Sequence, residues 1–278
     1  MSTLAETVKQ DILDALNSDQ LFLPSLPEVA LQIRSTAENP DATIKDLVDI
    51  ISQDSALSAR IIRVVNSPLL RAPQEVRDLA MAVSRLGMNY SCNLAIGLAM
   101  EQMFQATDKN IDRRLHDLWR LNGQVSALAS VLARHSGAAG ADEALLAGLI
   151  HRLGALPILS YAESHPALVV DDDTLSTVIN ELHSNLGQSI LKSWDFPTVF
   201  VDVPLHYRDF DRQPASADLV DLVMVANLLA QRDANNAWAQ QDWASVSAFT
   251  RLELPTERDA EVYLRLDDLA ARARAAFI

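Results

Sequence analysis

Apolar residues return every three or four positions along almost the whole chain, and that period belongs to helices. Leu4, Val8, Ile12 and Leu16 form one stripe, and Leu57, Ile61, Val64 and Val65 form another. Leu115, Leu118, Val125, Leu128 and Leu132 mark a long helix over 111–133, ended by Gly137. No segment reads as a strand. The chain has only 8 glycines in 278 residues, well below the ~7% average, which disfavours turn-rich β architectures. The expected class is all-α, with about a dozen helices.

The punctuation between stripes gives a finer reading. Thr43 and Asp46 have the spacing of a capping box, and a turn at Gln53-Asp54-Ser55 opens the next helix. Gly87 is expected as a left-handed cap after Leu79–Leu86, with Asn89 capping a helix that runs through Leu94 and Leu98 to Phe104. Gln105–Asn110 reads as a hinge. Ala141–Leu159 reads as one strongly apolar helix interrupted by Pro157. Trp194-Asp195-Phe196-Pro197 is a tight junction, Asp218–Gln231 and Glu257–Phe277 are further helices, and the polar Arg232–Asn236 is a turn.

Charge narrows the function classes. Lys and Arg number 23 against 37 Asp and Glu, a formal net charge of −14, so polyanions are repelled at long range. Nucleic acid and anionic membrane are not expected partners. The one cysteine, Cys92, has no internal disulfide partner. Met1–Gln10 lacks a basic region followed by an apolar run. Stretches such as Leu145–Ile150 fall short of the ~18–20 residues of a membrane span. A cytoplasmic location is expected.

The chemistry-bearing residues cluster late. His151 and Arg152 stand in the run Gly148-Leu149-Ile150-His151-Arg152-Leu153-Gly154. Burying such groups without partners is costly, so they either wall a cleft or are a satisfied core histidine and an arginine reaching solvent. His183 precedes Gly187, and His206-Tyr207 follows the next helix. Three histidines on three apolar helices can converge on a metal, although the spacing matches no local metal motif. His116, His135 and His165 sit at ordinary exposed positions. Asp171–Asp173 resembles a solvated helix start rather than a calcium loop. Arg60, Arg63 and Asn66 are either an anion-binding edge or a solvated face. Phosphate loops, nucleophile elbows and paired cysteines are absent from the sequence.

Several of these segments, taken in order, resemble a family. Leu23-Pro24-Ser25-Leu26-Pro27-Glu28-Val29-Ala30 is similar to the opening of the HDOD domain, the HD-related output domain of bacterial signalling proteins. Asn39-Pro40-Asp41, Ile51-Ser52-Gln53-Asp54-Ser55-Ala56-Leu57, Val65-Asn66-Ser67-Pro68 and Ala82-Val83-Ser84-Arg85-Leu86-Gly87 follow in the family's order. Leu118-Trp119, Ala147–His151, His183, Gly187, Trp194 and Pro197 continue it. The resemblance implies a multi-helix HD-like bundle with an amino-terminal helical subdomain. The expected organisation is a leading helix over 1–20, the HDOD domain over 21–211 with its halves meeting near 105, and closing helices over 212–278.

The resemblance also implies where a metal would sit in related HD phosphohydrolases. The first ligand histidine would fall near Leu121, the His-Asp pair on His151-Arg152, and the late aspartate near Asn227. Only His151 keeps a ligating side chain of the expected kind. The expectation is therefore no catalytic residue, no metal and no cofactor. His151, Arg152, His183, His206 and Tyr207 remain as ligand-binding candidates. The implied function is a non-catalytic signal-transduction module acting on a protein partner, with a small anionic ligand and homodimerisation as further expectations. The alternatives are a phosphohydrolase with atypical ligands, using His151, His183 and His206, and a nucleotide sensor without turnover.

Overall fold

The computed structural model describes residues 4–18, 23–67, 70, 74–165, 171–234 and 236–274. Readings that touch Leu21, Pro68, Pro166, Asn235 or Phe277 lie outside these residues.

Among the described residues the secondary structure is helical, with no strand. The first helices are α1 (Leu4–Asn17), α2 (Glu28–Glu38), α3 (Ile44–Ile51), α4 (Ser55–Val65), α5 (Leu79–Leu86) and α6 (Met88–Ala99), with a 3-10 turn over Met100–Met103. The second group is α7 (Lys109–Ser136), α8 (Ala141–Ile150), α9 (Ala155–Glu163), α10 (Asp172–Ser193) and α11 (Thr198–His206). Closing the chain are α12 (Leu219–Ala230), α13 (Ala237–Gln240), a 3-10 turn at Trp243–Ser245, α14 (Ser247–Arg251) and α15 (Glu261–Arg274).

Side-chain caps start many of these helices. Thr43 and Asp46 form the expected capping box: the Asp46 N–H donates to the Thr43 hydroxyl, and the Thr43 N–H donates to the Asp46 carboxylate. Asp54 accepts the Leu57 N–H at 2.9 Å. Asp108, Asp171 and Asp218 cap α7, α10 and α12 in the same way. Replacing Asp54 by alanine is expected to cost about 1 kcal/mol, read as a lower urea midpoint at unchanged slope.

Three local expectations are corrected. Gly87 does take a positive φ of 81°, but its ψ of 169° is extended. It joins α5 directly to α6, so Gly87 rather than Asn89 precedes the new helix. That helix ends at Ala99, and Phe104 lies beyond the 3-10 turn. The apolar run after Gly140 breaks at His151–Gly154, not at Pro157. Pro157 falls in the first turn of α9, where its missing N–H costs nothing. The 23 residues Ala141–Glu163 have the length and apolar composition to cross a membrane, contrary to the short-stretch reading. They are divided between α8 and α9 and are mostly buried in the core.

The long α7 forms the spine, packed by α8, α12 and α15. On the other side of α8 lies α6, which α2 covers, so the amino-terminal helices share a continuous apolar core with the rest. The Leu-Pro-x-Leu-Pro segment has a structural purpose here. The Pro24 carbonyl accepts the Trp194 indole N–H at 3.0 Å, and Leu26 is buried. From α2, Arg34 donates to the Trp194 carbonyl and lies 5.8 Å from the Phe196 ring centroid. The amino-terminal segment is thereby strapped to the α10–α11 junction. Asn66 is used the same way, holding the Val76 backbone through 2.7 and 2.9 Å bonds.

Candidate functional site

The four-residue turn between α8 and α9 places His151 and Arg152 side by side but in different surroundings. His151 is fully buried. Its Nδ1 lies 2.7 Å from the Gly148 carbonyl, so Nδ1 carries the proton and Nε2 keeps its lone pair. That Nε2 is buried without a hydrogen-bond partner. Tyr207 meets the ring edge-on at 4.9 Å, and Asn227 from α12 lies beside it. Burial, reinforced by the Arg152 charge, pushes the His151 imidazolium down to a pKa of about 3. At neutral pH the ring is uncharged.

His183 is also fully buried, one turn before Gly187 on α10. Its Nδ1–H donates to the Ile179 carbonyl at 2.6 Å, which leaves Nε2 to accept the Tyr207 hydroxyl at 2.6 Å. Burial and then the Arg152 charge hold its pKa down at about 3. Burial likewise raises the Tyr207 hydroxyl above its usual range. Carbonyl, imidazole and phenol therefore form one neutral relay, satisfied at each joint. Four of the five candidates, His151, Arg152, His183 and Tyr207, are brought together.

His206 is not. It stands half-exposed at the end of α11, with Nδ1 3.9 Å from an Asp209 oxygen, and borders a different recess with Asp202 and Arg212. Its neighbour Tyr207 turns inward, and successive helical positions cannot face the same point. The three-histidine metal reading fails on this geometry and on His183, whose two nitrogens are both engaged. Of Arg60, Arg63 and Asn66, two are already engaged: Arg60 pairs with Glu101 and Asn66 binds Val76. Asp171 caps α10, while Asp172 pairs with Arg114. Burial raises the Cys92 thiol to a pKa of about 11, which leaves it unreactive.

The residues at the implied HD metal position do not fit a divalent cation. Leu121 offers no ligand. Arg152 brings a fixed positive charge where a carboxylate would be needed. The Asn227 amide is spent on neighbours, donating to the Val223 carbonyl at 3.1 Å and accepting from Gln231 at 3.3 Å. Among the described residues no group of three His, Cys, Asp or Glu side chains is placed to hold a metal.

Arg152 instead borders a recess of about 550 Å³ between α7, α10 and the start of α13. Arg113, Arg114, Arg208 and Trp238 line it as well. Sequence reasoning left these out, because each reads singly as an ordinary helix-surface residue. The adjacent pair Arg113-Arg114 in an acidic chain was the available signal. Trp238 stacks on Tyr207 with ring centroids 5.7 Å apart and planes 11° from parallel, which ties the recess wall to the buried relay.

Comparison with known proteins adds a frame. The family model of the HDOD domain matches residues 23–210. An uncharacterised protein of Treponema pallidum (strain Nichols) is 28% identical over 221 residues, 74% of this chain. The chain spans 42% of that relative's length. A solved structure from Shewanella amazonensis SB2B, provisionally named a metal-dependent phosphohydrolase, superposes with a TM-score of 0.86 at 28% identity, covering 99% of both chains. An HDOD domain protein of Geobacter sulfurreducens matches with a TM-score of 0.69 at 20% identity, over 98% of this chain and 96% of its own.

Proposed function

The chain belongs to the HDOD domain family, and from that premise we propose that it is a non-catalytic regulatory module of bacterial signal transduction that works by binding a protein partner in the cytoplasm. The observation that carries the reading is Arg152. A guanidinium stands beside His151 where the resemblance calls for a metal-holding carboxylate, and cations a few ångströms apart repel. Leu121 and the engaged Asn227 amide argue in the same direction. The net charge of −14 suits a partner with a basic face.

Metal retention tests the reading. After incubation with manganese and desalting, elemental mass spectrometry should find far less than one metal per chain, and phosphodiester substrates should turn over at background rate. Near-stoichiometric metal that is lost in His151→Ala would overturn it. A crosslinking pull-down from the source cell, repeated at high salt, should then recover a basic partner whose capture weakens as salt screens the contact.

A further inference from the structure

Four guanidinium groups, those of Arg113, Arg114, Arg152 and Arg208, border the one recess beside α7 and α10, against the two carboxylates of Asp117 and Asp172. Those carboxylates do not balance the set. Asp172 pairs with Arg114, while Asp117 pairs at 2.9 Å with Arg120, which is not a lining residue. Arg208 donates to a backbone carbonyl, that of Asn180, at 2.7 Å. Among the described residues neither Arg113 nor Arg152 has a carboxylate partner, and the Arg152 Nε is buried with no acceptor at all. In so acidic a chain, carboxylates to neutralise a structural arginine are plentiful, yet Arg113 and Arg152 are given none among the described residues.

We propose that this recess binds a small phosphorylated anion, with Arg152 forking onto a phosphate, Arg113 and Arg208 adding charge at the rim, and Trp238 walling the organic part. The recess, at about 550 Å³, falls within the range of small-molecule sites. Guanidinium forks match the paired oxygens of phosphate, and several of them brought to one recess from α7 and from the turns after α8 and α11 suit an anion bearing more than one charge. Nucleic acid is disfavoured by the long-range repulsion of the whole chain. Trp238, held by stacking on Tyr207 and by an edge-to-face contact with Phe210, is the aromatic part of the lining against which a nucleoside ring can rest. The proposal deepens the metal-free reading of the site and rests on it. It also has a distinctive pH signature. Arginine does not titrate and the two imidazoles behind the wall stay neutral, so affinity between pH 5.5 and 8 should follow only the ionisation of the ligand.

Calorimetric titration of the full chain with inorganic pyrophosphate, ADP and adenosine, in chelator-treated buffer, tests this. Pyrophosphate and ADP should bind, adenosine should not, and added salt should weaken both. Arg152→Gln should lose at least about tenfold in affinity, the loss of one charge-assisted contact. Arg113→Gln should lose less, and His206→Ala, outside the recess, should be unchanged. ADP should bind tighter than pyrophosphate, and equal affinity overturns the assignment of Trp238 to the organic part. Absence of heat with both phosphates, with or without manganese, overturns this proposal and leaves the metal-free reading standing. Binding that requires manganese overturns both. Undiminished affinity in a folded Arg152→Gln protein overturns the assignment of the site.

Discussion

Replacing Gly154 by alanine is expected to remove about 4 kcal/mol or more of folding stability, a large part of the ~5–15 kcal/mol that a domain possesses. Gly154 closes the turn between α8 and α9 and presses directly on the backbone of α10. A methyl group there would overlap the His183 carbonyl oxygen and the Gly187 amide nitrogen. Overpacking commonly costs about 1–3 kcal/mol because side chains can move aside. Backbone atoms of a 22-residue helix cannot do so without shifting the whole of α10. The shift would also open the His183–Tyr207 bond, since both partners ride on that packing.

A second variant keeps the test independent of complete unfolding. At Gly187 an added methyl would meet the Pro204 Cβ at 2.9 Å, with the Gly154 amide nitrogen at 3.3 Å. The Pro204 ring is as rigid as backbone, but this approach is about 1 Å longer than the 1.9 Å one at Gly154, so Gly187→Ala should cost less, about 1–3 kcal/mol. Urea denaturation of both variants gives the comparison. A Gly154→Ala protein as stable as the parent, or more stable than Gly187→Ala, would mean that α9 and α10 are not locked at this contact.

The same turn marks how far the sequence could be read. Helices with an amphipathic stripe and a polar cap, such as α3 behind Thr43 and α4 behind Asp54, were legible because both signals are local. The break at His151–Gly154 was not, because the run is apolar on both sides and the proline nearest to it is harmless in a first turn. In the site, His151 and His183 were legible as histidines among apolar neighbours, where each needs a partner. His206 was misplaced because its neighbour Tyr207 took the inward position. Arg113, Arg208 and Trp238 were invisible as a group, since their convergence with Arg152 depends on how α7, the α8–α9 turn, the end of α11 and α13 pack. Asp221 was a missed signal of another kind. It is a fully buried acid within apolar α12, held by Arg212 at 2.5 Å and Arg251 at 2.7 Å. A lone carboxylate in such a helix calls for buried cationic partners, but nothing local says which arginines supply them.

Acidification from pH 8 to pH 5.5 should cost the fold about 3 kcal/mol, and the two buried histidines set the sign. His151 and His183 have native pKa values pushed down to about 3 by burial and by Arg152. In the unfolded chain each returns to about 6.5. Between those limits the unfolded state binds protons that the native state refuses, so stability rises with pH. The contribution is complete above the unfolded value and is lost progressively as pH falls from about 6.5 toward 3. One unit below the unfolded value, each histidine accounts for about 1.4 kcal/mol. His116, His135 and His165, by contrast, lie exposed on the surface. Stopping at pH 5.5 keeps most carboxylates ionised, so the loss reports on imidazole. Urea midpoints across this range should drop steadily in the parent. In His183→Gln, which retains an acceptor for the Tyr207 hydroxyl, the slope should fall by about half, whatever the absolute stability of the variant. A parent whose stability is flat from pH 8 to 5.5 would show that both rings take up their protons in the folded state, and the neutral relay behind Arg152 would have to be abandoned.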